Sequence, residues 1–63
     1  MEAYQQRVQD EKDELDTRIS KLCSFCLSKA FRYVNLKEQE RLIRQVDVMT
    51  EYSEILGERI SAF

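Results

Sequence analysis

The sequence predicts an all-α fold, an antiparallel two-helix hairpin that assembles with copies of itself into a homo-oligomeric helical bundle. Three observations carry this reading. Helix formers dominate a chain with one Gly and no Pro. Two apolar stripes recur at helical spacing, one in each half of the chain. And at 63 residues a single core barely offsets the chain entropy that folding removes. Disulfides, a metal or oligomerisation usually make up the difference. With two Cys and no His, oligomerisation is the expected one.

The first helix is expected from about Glu2 to Cys26, since nothing in that stretch breaks a helix. Tyr4, Val8, Leu15, Ile19, Leu22, Cys23 and Cys26 fall within an arc of roughly 100°. The second helix is expected from Leu36 to about Ile60. Its seam is Leu42, Val46, Met49, Ser53, Leu56, Ile60 and Phe63, spaced alternately four and three, and only Ser53 interrupts it. Asn35 and Glu38 have the spacing of a capping box at its start. If the two stripes belonged to one unbroken rod they would lie about 160° apart, on opposite edges. A turn near Ser28–Asn35 lets them face each other instead, with Phe31, Tyr33 and Val34 placed to plug the closed end. The whole chain, 1–63, is thus one hairpin domain. Val48, Tyr52 and Ile55 lie beside the second seam and widen its apolar arc to about half the circumference. A lone hairpin would leave part of that arc wet, which marks a protein interface.

Composition narrows the function classes. Charged residues make up 35% of the chain, both signs interspersed, with a formal net charge of −2. DNA or RNA polymers call for a clear basic excess, so no such partner is expected. A small anion, which feels only a local cluster, remains admissible. No apolar run approaches the ~20 residues that span a bilayer, and Met1–Gln6 lacks the features of a secretion signal. A cytoplasmic location is expected, with no membrane partner.

Enzymatic chemistry is not expected. There is no His to act as general base or metal ligand. Ser20, Ser24, Ser28, Ser53 and Ser61 have no activating motif, and Gly57 stands alone, without a phosphate loop. Pairs such as Glu11/Glu14 and Glu38/Glu40 sit among Lys and Arg as on a solvated helix surface. Cys23-Ser24-Phe25-Cys26 is a formal CxxC. A zinc site would need two more ligands from a second chain; on an apolar face, both thiols read first as packing groups. No cofactor and no metal are expected.

The basic residues and one aromatic are the binding candidates. Arg7 and Arg18 flank the first apolar stripe on the edge of Tyr4 and Glu11; Arg41 and Arg59 lie within the wide face of the second helix, with Arg44 at its margin. Arginine beside a buried seam is either a snorkelling side chain with an acidic partner or a phosphate clamp. The many Glu residues favour the first. Tyr4 either stacks on a base or closes the core. Tyr4 and Arg18 are fourteen residues apart, about 21 Å on one helix. A compact ligand shared by them therefore requires a neighbouring antiparallel subunit.

Gln5-Gln6-Arg7-Val8, Asp10-Glu11-Lys12, Glu14-Leu15-Asp16 and Lys21-Leu22 resemble the opening of a family of short phage proteins. More distinctive are Glu38-Gln39-Glu40, Arg44-Gln45, Met49 and the run Glu51-Tyr52-Ser53-Glu54-Ile55-Leu56-Gly57-Glu58-Arg59-Ile60. These stretches, spanning nearly the whole chain, resemble the hairpin-domain family of phage anti-CBASS and anti-Thoeris sponges. The resemblance implies a homohexamer that sequesters cyclic oligonucleotide or cyclic ADP-ribose immune signals in the infected host without cleaving them. It also implies pockets between subunits. For cyclic dinucleotides, Tyr4 matches the stacking tyrosine, and Arg18 or Lys21 the basic residue of the first helix. For cyclic trinucleotides, Ser20 and Arg59 match a hydroxyl and a late arginine. A ligand-free hairpin that docks on another protein and inhibits it is the competing expectation, and its apolar face would suit it equally.

Overall fold

The computed structural model describes residues 1–63. Helix α1 spans Ala3–Cys26, one turn of 3-10 helix spans Lys29–Tyr33, and helix α2 spans Leu36–Ser61. The helices pack antiparallel into a rod 45 × 14 × 13 Å. No helix is long and apolar enough to cross a membrane.

Each helix begins with a side chain that satisfies an orphan amide. At α1 the Gln5 side chain accepts from the Glu2 backbone N–H at 2.8 Å, half of a capping box that the sequence reading did not foresee. At α2 the expected cap is half right. Asn35 Oδ1 accepts from the Lys37 N–H at 2.9 Å, but Glu38 does not reach back. Its carboxylate instead accepts from Arg41 Nε at 2.8 Å, a stronger charge-assisted bond one turn along.

The turn is held by Gln39. Its amide nitrogen donates to the carbonyls of Phe31 and Val34, both at 2.9 Å. In a chain without Pro and with its one Gly elsewhere, these bonds replace turn chemistry. Phe31 closes the end by an edge-on contact with Phe25, their centroids 6.0 Å apart. Val34 is half-buried, but Tyr33 is 90% exposed, so it does not join the plug. The tight 3-10 spacing sends it away from Phe31, since successive side chains there diverge by about 120°.

The core follows the two stripes. Val8, Leu15 and Leu56 are buried, with Ile19, Met49 and Ile60 packed against them. Leu56 is wholly enclosed. Besides Val8, Leu15 and Leu56 only Ser53 is buried, and Ile19, Met49 and Ile60 are half-buried. The exposed area is 5010 Å², against about 4,300 Å² for a typical folded monomer of this mass. The open edge of α2 contributes to this, with Val48 61%, Tyr52 41% and Ile55 46% exposed.

Candidate ligand-binding edge

Ser53, the polar residue in the seam, is buried for a reason. Lys12 Nζ donates to its Oγ at 2.9 Å and to Asp16 Oδ2 at 3.0 Å, while Ser53 Oγ donates to Asp16 Oδ1. The triad closes on itself, and no buried side-chain polar atom is left without a partner. The Ser53 hydrogen bond and then that of Lys12 hold the Asp16 carboxyl below its ordinary 3.8, against a small opposing effect of burial. The Lys12 stem crosses α2 beside Gly57, where an added Cβ would sit 3.5 Å from Lys12 Cε. The triad ties one level of α1 to one level of α2, so it sets the register of the hairpin.

The opposite edge of α1 is differently built. Arg18 and Lys21 line a groove of about 410 Å³ with Leu22, Phe25, Gln45 and Met49. It is shallow and open to solvent. Neither cation meets a carboxylate at ion-pair distance, and the same holds for Arg7, Arg44 and Arg59. The expectation that acidic neighbours would occupy these arginines fails for all but Arg41. Glu14 stands one turn before Arg18, and Glu11 one turn after Arg7, but neither carboxylate closes to ion-pair distance. Phe25 and Gln45, absent from the sequence-based candidates, supply an aromatic wall and an amide whose only contact is a long one, 3.8 Å, to Met49 Sδ. Phe25 lies on the same α1 edge as Arg18, seven residues on, and that spacing was the signal available.

The other candidates are spread along the rod. Tyr4 is at the open end, edge-on to Phe63 at 5.7 Å between centroids, with half its surface exposed. Thus it closes the end of the core while half of it stays open to solvent. Arg7 and Arg59 are exposed near the same end. Ser20 is exposed two residues beyond Arg18, hence about 200° round the helix and away from the groove. Tyr4 packs on Phe63 and Lys12 on Ser53, so Arg59 faces the level of residues 6–8. Ser20 is then roughly 20 Å further along the axis. One hairpin brings together Arg18 and Lys21, but neither Tyr4 with Arg18 nor Ser20 with Arg59.

Cys23 and Cys26 are free thiols, half-buried on the other side of the hairpin. They line an apolar groove with Leu27, Ile43, Val46 and Asp47. With one carboxylate and no cation, that groove does not suit an anion.

The model of the Sequestin family matches residues 2–62. A curated relative from Enterobacteria phage T4, an uncharacterized 7.5 kDa protein of the denB-rIIB intergenic region, is 43% identical over 63 residues, 100% of this chain and 98% of that protein. No solved structure matches. The family's name denotes sequestration, in keeping with the resemblance to phage sponges carried by the opening and closing stretches. This chain belongs to the Sequestin family.

Proposed function

We propose that the protein sequesters a cyclic oligonucleotide immune signal, either a cyclic di- or trinucleotide or cyclic ADP-ribose. Its pockets form between subunits of a homo-oligomer, a hexamer by the resemblance, in the cytoplasm of an infected bacterium. It acts by stoichiometric binding and leaves the signal intact.

The observation that carries the reading is the set of cations without partners, Arg7, Arg18, Lys21 and Arg59, on a family member named for sequestration. Phosphate oxygens are what such cations lack: charge-assisted bonds to them are short and about twice as strong as neutral ones. Tyr4 and Phe25 supply ring faces for bases, a contact worth ~1–3 kcal/mol per base. The Arg18–Lys21 groove is too open to enclose a ligand alone, and the members of each candidate pair, Tyr4 with Arg18 and Ser20 with Arg59, lie roughly 20 Å apart on one copy. A neighbouring subunit completes the site in both respects.

Calorimetry against a panel of cyclic di- and trinucleotides and cyclic ADP-ribose tests this. Heat is expected for at least one of them, with Tyr4→Ala and Arg59→Ala each weakening capture about tenfold or more while assembly persists. No heat from any member of the panel removes the reading.

A further inference from the structure

Leu27, Tyr33 and Leu36 are 88%, 90% and 73% exposed, more than any other large apolar side chain except Met1. All three belong to the closed end, between the end of α1 and the first turn of α2. That end is already filled by Phe25 against Phe31 and tied by the two bonds of Gln39. The three exposed side chains therefore contribute little to packing within the hairpin. Lys29, Arg32 and Lys37 stand among them and are likewise exposed. Neither Lys29 nor Arg32 meets a carboxylate at ion-pair distance, and Lys37 reaches Glu40 only at 3.9 Å.

The three cations are part of a larger segregation. No acidic residue occurs between Asp16 and Glu38, a stretch that also holds Arg18 and Lys21. Folding at the turn gathers these charges in one half of the rod. Residues 17–47 hold seven Lys or Arg and three Asp or Glu, for a net of +4. The remaining residues hold three and nine, for a net of −6. The charges that look mixed along the chain are therefore polarised along the hairpin, and the exposed apolar residues crown its positive pole.

We propose that the closed end is a docking tip for an anionic bilayer surface. Leu27, Tyr33 and Leu36 enter the boundary between headgroups and acyl chains, while Lys29, Arg32 and Lys37 contact lipid phosphates. The rod is 14 × 13 Å across, so a protein met end-on would cover roughly a quarter of the ~800 Å² that each side gives to a standard interface. A nucleic-acid backbone would use the cations but leave both leucines in water. An anionic bilayer uses both sets of residues. Its phosphates attract the cations, each contributing about fivefold to binding near the surface. Just beneath lies an apolar boundary where leucine is buried and the amphipathic ring of tyrosine is favoured. The net charge of −2 does not oppose this. The rod is 45 Å long and the Debye length at physiological salt is about 8 Å, so the acidic far end is not felt at the tip. The expectation of no membrane partner rested on the lack of a spanning segment and of a secretion signal, and a tip resting on the surface needs neither. This inference is independent of the ligand proposed above.

Vesicle co-sedimentation tests it, with vesicles of phosphatidylglycerol and phosphatidylethanolamine set against vesicles of phosphatidylcholine alone. Wild type is expected to bind the first, to ignore the second, and to be released as salt rises. Lys29→Ala/Arg32→Ala should bind the anionic vesicles about 25-fold more weakly, and Leu27→Ser/Tyr33→Ser about tenfold or more. All four sites are exposed, so circular dichroism should show unchanged helicity in both variants. The chain has no Trp, so the fluorescence of Tyr33→Trp reports on the tip alone and should shift to the blue with anionic vesicles only. No binding to the anionic vesicles, or equal binding to both kinds, overturns the proposal. So does undiminished binding of Leu27→Ser/Tyr33→Ser together with an unshifted Tyr33→Trp emission, which would mean attraction to any polyanion.

Discussion

On one edge of the hairpin Lys12, Asp16 and Ser53 satisfy one another; on the other, Arg18 and Lys21 satisfy nothing in their own chain. Both groups border the same apolar seam and use the same kinds of side chain. The first is closed, and its contacts reach across α1 and α2 at one level, so it serves register. The second is open, beside a groove with an aromatic wall. Its charges contribute little to folding and remain available. Which polar residues hold a fold and which await a partner is decided by satisfaction, not by residue type.

The largest effect expected from this contrast is on binding. The double variant Arg18→Ala/Lys21→Ala should lower affinity for the proposed cyclic nucleotide ligand by about 100-fold or more, losing two charge-assisted bonds at roughly 1.5–3 kcal/mol each. Its unfolding free energy from urea titration should stay within ~0.5 kcal/mol of wild type, as for exposed sites elsewhere. A large loss of stability would place these cations in the fold and break the contrast.

The reciprocal change is smaller. Ser53→Ala strips the hydroxyl from between Lys12 and Asp16 and should destabilise by ~1–3 kcal/mol in urea titration. Ligand affinity in the folded oligomer should be retained. If affinity falls instead, the triad belongs to the site.

The smallest effect concerns pH. Because the folded-state Asp16 carboxyl is held below 3.8 by Ser53 and Lys12, its contribution is fully present above that value. It is lost as pH falls through the lowered folded value. Asp16 is about half exposed, so screening keeps the effect slight. The urea midpoint of wild type should drop through this acid range, and Asp16→Asn should show less of that drop. An identical profile for the two proteins would show that the carboxylate does not stabilise the hairpin.

Much of the architecture is readable from local pattern. The two helices, the turn and the Asn35 cap all rest on residues within four or so positions of one another, where spacing decides contact. Ser53 was not readable in this way. Along the chain it interrupts a seam, and its partners Lys12 and Asp16 lie 41 and 37 residues away. Tyr33 failed for a related reason: its direction depends on the 3-10 geometry of the turn, which composition does not announce. Likewise Arg18 and Lys21 stood out as basic residues of the first helix, whereas Gln45 enters their groove only because α2 returns alongside.

By itself the sequence determined two amphipathic helices, their approximate ends, a chain too small to hide its apolar surface, and membership of a phage family. Periodicity and composition carry that information, because they act within a turn or two of helix. Tertiary structure alone decided which polar side chains meet, which cations remain unpaired, and that charges mixed along the chain separate to opposite ends of the rod. Those outcomes depend on the register between distant residues, and no local spacing encodes it.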